Sequence, residues 1–184
     1  MKTFFPLVLC VVVFANSALA QEKIGHGIEL YRLGDYQSAA NELSSLASME
    51  GDGRRASQYL GASYVQLHKD TEARTIFVNL SKTEKQTGKV KLDPFEMDKS
   101  LKIDKKPVPN FDNIIKKYDT GELFLAVEFK SDGTIGFVFP VSTTVVEMTP
   151  LCVAAAKKIK FKPGMLKGNP VTVIRLVEYA FQPG

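Results

Sequence analysis

The sequence predicts an α+β protein in which helical hairpin repeats precede a small domain built on an antiparallel sheet. Similar residues recur at an offset of 34 residues before Ser81, and apolar residues alternate with a period of two after Thr120. A segment with many lysines and two prolines lies between these regions. We therefore divide the chain into a signal peptide at 1–20, TPR-like helical repeats at 21–83, a linker with a short helix at 84–109 and a C-terminal domain at 110–184.

The N-terminus has the layout of a secretory signal peptide. Lys2 precedes an apolar run over residues 4–15, and the small residues Ala18 and Ala20 suit a cleavage site. The run is shorter than the roughly 20 apolar residues that a membrane-spanning helix needs. We therefore expect cleavage after Ala20, giving a periplasmic or otherwise extracytoplasmic protein with no integral membrane segment. A retained signal would instead anchor the chain in the inner membrane.

Composition and charge exclude several classes of protein. Apolar residues make up 45% of the chain, which is too many for a generally disordered protein. The formal net charge is +4, and the excess of lysine falls within residues 82–117, where acidic residues are interleaved with it. This mixture argues against a continuous track for phosphates, so we expect no nucleic-acid partner. The basic segment is either a solvated linker or a weak contact for an anionic surface.

The ionisable side chains do not form a pattern typical of an enzyme. His26 and His68 fall on different predicted helices, with no nearby cysteine or aspartate cluster at metal-ligand spacing. Cys152 lies among apolar residues, which predicts a buried side chain, and it is the only cysteine after signal removal. We expect no catalytic residue, metal site, cofactor or internal disulfide.

The 34-residue offset predicts two helix-turn-helix units. Glycine and alanine recur where paired helices approach closely, and large apolar residues recur between the units. Gly34 suits a left-handed helix stop, and Asp35 suits the N-cap of the next helix. The small and aromatic positions resemble the tetratricopeptide repeat over residues 24–82, on the matched residues Gly27, Gly34, Tyr36, Ala39, Gly61, Tyr64, Ala73 and Phe77.

This resemblance implies a concave groove that binds an extended peptide. The groove would be lined by the first helix of each pair, and its side chains would suit a peptide with acidic groups. The alternative is that they form the solvated side of a scaffold. The residues concerned are Tyr31, Arg32, Arg55, Gln58 and Gln66.

The linker contains one candidate helix and one stiff connector. Asp93, Pro94 and Glu96 fit the N-cap, the first-turn proline and the third-position glutamate of a capping box, so a short helix over 94–101 is expected to cap the array. Pro107 and Pro109 then prevent helix continuation and predict a domain boundary.

The sequence of the C-terminal domain predicts the order helix, strand, strand, helix, strand. A two-turn helix is predicted by Phe111, Ile114, Ile115 and Tyr118 at helical spacing. Two alternating strands flank a turn at Asp132 and Gly133. A helix over 150–159 is expected to carry Leu151, Ala155 and Ile159 on one face, and a final strand covers 171–181.

The order of these features resembles the TonB C-terminal domain family over about residues 105–184. An alanine-containing helix leads to Phe161 and Pro163, and Gly168, Pro170 and Val171 precede the closing strand. The resemblance implies a three-stranded antiparallel sheet with two helices, whose last strand lies at an edge and accepts an extended peptide. The edge positions would be Thr172, Ile174, Arg175, Leu176 and Glu178.

The same resemblance implies a partner in the Gram-negative cell envelope. In TonB that partner is a segment of an outer-membrane receptor, so we expect a protein or peptide partner, either such a receptor or another envelope protein. The alternative is an anchored TonB-type energy transducer for receptor-mediated transport. The chain departs from that pattern because its predicted signal is cleaved and a helical array replaces the long proline-rich spacer.

Overall fold

The computed structural model describes residues 7–48, 53–87 and 97–182, with side chains described at 19–48, 53–83 and 97–182. The N-terminal region is four helices: α1 (Leu7–Arg32), α2 (Tyr36–Ser44), α3 (Gly53–Gln66) and α4 (Asp70–Thr87). The C-terminal region contains the helices α5 (Asp112–Ile115) and α6 (Met148–Ala156). Its strands are β1 (Lys102–Lys105), β2 (Gly121–Phe129), β3 (Ile135–Thr143), β4 (Lys160–Lys162), β5 (Gly164–Leu166), β6 (Asn169–Val171) and β7 (Val173–Phe181).

The two helical hairpins repeat each other bond for bond at their turns. The amide of Asp35 donates to the carbonyl of Leu30, and 34 residues later the amide of Lys69 donates to that of Tyr64. Gly34 has a positive φ of 86°, and the equivalent His68 has a φ of 56°. The predicted left-handed stop is therefore confirmed. The Asp35 side chain caps α2 by accepting from the Ser38 amide, as expected.

Glycine allows the helices of each hairpin to approach closely. A Cβ atom on Gly27 would lie 2.8 Å from the Leu43 side chain, and one on Gly61 would lie 2.8 Å from the Phe77 ring. Both distances are too short for non-bonded carbon atoms. The expected role of the two glycines is therefore confirmed, and it places Leu43 and Phe77 at the centre of their hairpins.

The main sheet has the order β3-β2-β7 and is antiparallel throughout, so the expected fold class is confirmed. Two short ribbons accompany it, β1 with β4 and β5 with β6. These ribbons, and the strand character of 102–105 within the expected linker, were not predicted. The turn between β2 and β3 is as expected: Gly133 has a φ of 84°, and the Asp132 carboxylate accepts from the Thr134 amide.

The sheet is covered on both faces. Residues of odd number on β2, such as Leu125 and Val127, join a core with α6. Residues of even number, such as Phe124 and Ala126, join a core with α1 to α4. Because one apolar core crosses from the helical hairpins to the sheet, the two halves of the chain form a single packed unit.

Three expected helices differ from the structure. Within 94–101, the residues from Met97 onward lie in the described part and are not helical: Lys99 forms a β-bridge with Met165, because Met97 and Leu101 pack into the α6 core. The helix after Pro109 is one turn, not two, and leaves Ile115 and Tyr118 exposed.

The third difference concerns α6. This helix begins at Met148 and buries Met148, Cys152 and Ala155, while Leu151 is 40% exposed. Leu151 therefore does not share the buried face of Ala155, because the buried stripe starts at Met148. Cys152 is buried, as predicted. Within the described residues, no helix has the length and hydrophobicity required to span a membrane.

Candidate functional site: an edge of the sheet

The last strand lies at an edge of the sheet and is regular along its length. Nine consecutive residues of β7 pair with β2, from Val173 opposite Phe129 to Phe181 opposite Gly121, without a register shift. Its other side makes no strand pairing within the described parts of the chain. The position that the family resemblance implies for the final strand is therefore the one observed.

Residues of even number on β7 direct their backbone groups away from β2. The carbonyl oxygens of Thr172 and Glu178 accept hydrogen bonds from side chains outside the sheet, at 2.7 and 2.8 Å. Successive residues of a strand direct their amide and carbonyl groups to opposite sides. The outward amides are therefore those of Ile174, Leu176, Glu178 and Ala180.

The outer edge is covered along one half and open along the other. In the covered half, 173–176, Ile174 is 1% exposed and Leu176 is 8% exposed, and both lie in the core shared with the helical hairpins. The Tyr59 hydroxyl of α3 donates to the Thr172 carbonyl at the start of this half. In the open half, 177–181, both outward-directed residues, Glu178 and Ala180, are exposed.

The edge residues named from the sequence thus have different surroundings. Ile174 and Leu176 are buried beneath the helices, and Thr172 and Arg175 are half-buried. The Arg175 side chain lies on the α6 face, because Arg175 pairs with Val127. Of the five, Glu178 alone is exposed. The alternation of apolar residues in β7 did not indicate that the helical hairpins cover part of this strand, because the helices contact the face formed by its even-numbered residues.

Lys106 contacts the open half of β7. Its ammonium group donates to the Glu178 carbonyl at 2.8 Å and lies 4.9 Å from the centre of the Tyr179 ring. Pro107 follows directly, so the connector cannot donate a backbone amide there, and the structure shows no backbone hydrogen bond between described residues 106–110 and β7. The hydrogen bond to the Glu178 carbonyl therefore comes from a single flexible side chain. The sequence contained no signal for this role of Lys106.

The opposite edge of the sheet, β3, is blocked differently. Arg74 of α4 donates through Nη1 to the carbonyls of Pro140 and Val141, at 2.7 and 2.9 Å, and stacks 5.2 Å from the Phe139 ring centre. Pro140 itself lacks an amide, and the register of β3 against β2 shifts twice. Proline and bulges are the devices by which edge strands avoid pairing with other chains. The regular edge is therefore that of β7.

Tyr31, one of the side chains expected to line a peptide groove on the helical repeats, contacts the sheet of the same chain. Tyr31 is 3% exposed, and its hydroxyl donates to Oε1 of Glu128 on β2 at 2.7 Å. Burial and the Glu128 carboxylate raise the pKa of Tyr31. Gln66 lies beside the same hydroxyl, and Gln58 is 4% exposed. Tyr31 therefore cannot line a peptide groove without losing its contact with the sheet.

Two arginines of the expected groove remain partly accessible beside the covered half of β7. Arg32 and Arg55 are half-buried, and both lie near the Tyr59 hydroxyl. Burial raises the pKa of Tyr59, and the positive charges of these arginines oppose that rise. Their Nε atoms and the Gln58 Nε2 atom are buried and have no hydrogen-bond partner among the described residues.

A cleft of about 800 Å³ lies at the open end of the helical array. Its floor combines Leu60 and Tyr64 of α3 with Ile76 and Leu80 of α4. It is also lined by Ser44, Ala47 and Ser48 at the end of the first hairpin. Apolar residues at its floor and Ser57, Asn79 and Thr83 around them give it an amphipathic lining.

The described residues contain no group of three or more histidine, cysteine or acidic side chains that could hold a metal ion. Burial raises the pKa of the Cys152 thiol to about 11, so the thiolate is scarce at neutral pH. Comparison of the chain with models of protein families and with curated proteins finds no match.

Proposed function

We propose that this chain is an interaction protein of the cell envelope that binds an extended peptide by adding it as a strand to the open half of β7. The observation that supports the proposal most directly is the pair of outward, exposed edge residues Glu178 and Ala180 on a strand with an unbroken register. Added strands gain affinity from backbone hydrogen bonds and specificity from alternate side chains. The peptide would replace Lys106 at the Glu178 carbonyl.

The open half has two outward-directed residues, Glu178 and Ala180, and this limits the number of backbone hydrogen bonds that a peptide can form with it. A short added strand forms few backbone bonds, so side-chain contacts must supply part of the affinity. Lys106 and the exposed Glu178 carboxylate place a positive and a negative group on this edge. We therefore expect a short peptide of mixed charge, bound with modest affinity.

The experiment uses a displayed library of random peptides selected on the whole chain. The binding of peptides selected on the wild type is then measured on the variants Glu178→Pro and Glu178→Ala. Proline removes the outward amide and leaves the β2 ladder intact, because that amide faces away from β2. Alanine removes the carboxylate and keeps the amide. The proposal expects Glu178→Pro to lose the peptides and Glu178→Ala to retain most of the binding.

Ala180 supplies a second matched pair for the same selection. Ala180→Pro should weaken binding of the same peptides, and Ala180→Ser, which keeps the amide, should not. Equal binding by both proline variants and the wild type would rule out strand addition at this edge. Circular dichroism of each variant establishes that the sheet is retained.

The alternative, an anchored energy transducer, rests on the N-terminus. Helix α1 runs without interruption from Leu7 to Arg32, through the expected cleavage position, and Ala20 is 7% exposed. Mass spectrometry of the protein from its host separates the two proposals. A chain beginning at Gln21 supports the periplasmic interaction protein, and a chain retaining Met1 in the membrane fraction supports the anchored transducer.

A further inference from the structure

The ribbon formed by β1 and β4 places lysines directly opposite one another. Lys102 pairs with Lys162, and Lys105 pairs with Lys160. Like charges directly opposite across two strands destabilise the pairing. All four side chains belong to exposed residues, so the ribbon presents two successive pairs of positive charges to solvent.

Few carboxylates offset this charge. Asp104, in the same ribbon, lies 4.0 Å from Lys102, at the outer limit of an ion pair. Lys105, Lys160 and Lys162 make no ion pair with any described residue. The exposed Lys157 and Lys158, at the end of α6, precede β4 and add to the same region of the chain.

The ribbon is fixed to the body of the protein by its other face. Ile103 and Phe161 are directly paired and pack against the α6 core. The Phe161 ring meets Phe129 of β2 edge to face, with ring centres 4.9 Å apart. The four lysines are therefore carried on a rigid support, and their charges cannot separate by local unfolding without loss of this packing.

We propose that this lysine ribbon, Lys102, Lys105, Lys160 and Lys162, docks the protein on an anionic lipid bilayer surface. Lysine is a compact point charge that binds anionic headgroups without a fixed geometry. Nucleic-acid sites typically add arginine forks to phosphates or exposed aromatic rings that stack on bases. The ribbon has neither, because its one aromatic residue, Phe161, packs on Phe129.

The experiment measures binding of the whole chain to vesicles of phosphatidylcholine with and without phosphatidylglycerol. The test variant is the double substitution Lys102→Glu and Lys105→Glu. It turns both like-charge pairs into opposite-charge pairs, so it should raise the melting temperature while it removes the positive surface. Because Asp104 lies beside both substituted lysines, thermal unfolding of the test variant and the wild type must establish that a loss of binding does not result from unfolding. The apolar N-terminal segment is common to all variants, and the vesicles without phosphatidylglycerol measure its contribution.

A matched control carries Lys69→Glu and Lys82→Glu, which change the net charge equally at exposed positions of the helical array. We expect the wild type and control to bind phosphatidylglycerol vesicles at least about tenfold more tightly than the test variant, and to lose this preference as salt is raised.

Three results would overturn the proposal. The first is equal binding by the test variant and the wild type. The second is equal loss by the control, which would indicate a net-charge effect. The third is binding to duplex DNA without any preference for anionic vesicles.

Discussion

The hydroxyl of Tyr31, at the end of the first helix, donates a hydrogen bond of 2.7 Å to Glu128 in the central strand of the sheet. These residues are 97 positions apart in sequence, and both are buried. The second carboxylate oxygen of Glu128 accepts from the Phe137 amide at 3.4 Å. The pair therefore joins the helical hairpins to the sheet through a polar contact inside an apolar interface.

We predict that Tyr31→Phe lowers the free energy of unfolding by about 1–3 kcal/mol, because it leaves a buried carboxylate without its main donor. Glu128→Gln should cost less, since the amide oxygen still accepts from Tyr31. Urea unfolding of Tyr31→Phe, Glu128→Ala and the double variant gives the coupling energy, because Glu128→Ala removes the acceptor. Strict additivity of the two losses would contradict the contact.

Gly61→Ala should destabilise the protein, whereas Gly25→Ala should not. A methyl group on Gly61 meets the Phe77 ring at 2.8 Å, while one on Gly25 meets nothing within 4 Å. Overpacking costs about 1–3 kcal/mol, and alanine returns up to about 1 kcal/mol of helix propensity at either site. Thermal unfolding checks the difference. Combining Gly61→Ala with Phe77→Leu should recover stability, and failure to do so would place the clash elsewhere.

Stability should decline above about pH 10, with Tyr179 contributing between pH 10 and 12. Burial raises the pKa of this tyrosine from 10.0 to about 12. The folded state therefore holds the phenol proton more tightly than the unfolded state, and the resulting stability is complete below pH 10 and is lost as the pH rises through 12. Tyr179→Phe should reduce this alkaline decline in urea unfolding. An unchanged pH profile would contradict the assignment.

The same substitution should be tolerated at neutral pH. The Tyr179 hydroxyl is buried and has no hydrogen-bond partner among the described residues. Removing an unsatisfied buried polar group costs little or is stabilising. A large loss of stability at pH 7 would show that this hydroxyl has a partner.

Arg74→Ala should loosen the β3 edge and promote self-association. The substitution removes two hydrogen bonds to the carbonyls of Pro140 and Val141, and it should cost about 1 kcal/mol in urea unfolding because Arg74 is exposed. It also frees edge groups that can pair with another chain. Sedimentation velocity measures the association, with Lys69→Ala as the control. A monomeric Arg74→Ala variant would contradict the blocking role.

The sequence was most informative where a local rule applied. The 34-residue offset predicted both hairpins, because Gly27 and Gly61 must face large residues of the paired helix. The Asp132 and Gly133 turn predicted the connection between β2 and β3. By contrast, no local rule indicated that Tyr31 contacts the sheet, since its partner Glu128 is far away in the sequence. An expected groove residue therefore became part of an internal interface.

The strand pairing of the lysine ribbon was not predicted, for a related reason, although the basic segment 82–117 was considered as a contact for an anionic surface. Lys160 and Lys162 flank Phe161, and this alternation over three residues is too short to indicate a strand by itself. Lys102 and Ile103 lie in the segment read as a linker. Pairing between two such short segments becomes visible only when the packing of Phe161 on Phe129 brings them together.

Amide hydrogen exchange along β7, resolved by NMR with and without a selected peptide, tests the proposed strand addition most directly. We expect the outward amides of Glu178 and Ala180 to exchange rapidly in the free protein and to become protected in the complex. The amides of Val177 and Tyr179, which face β2, should be protected in both states. Binding of the peptide without added protection at Glu178 and Ala180 would contradict the central claim.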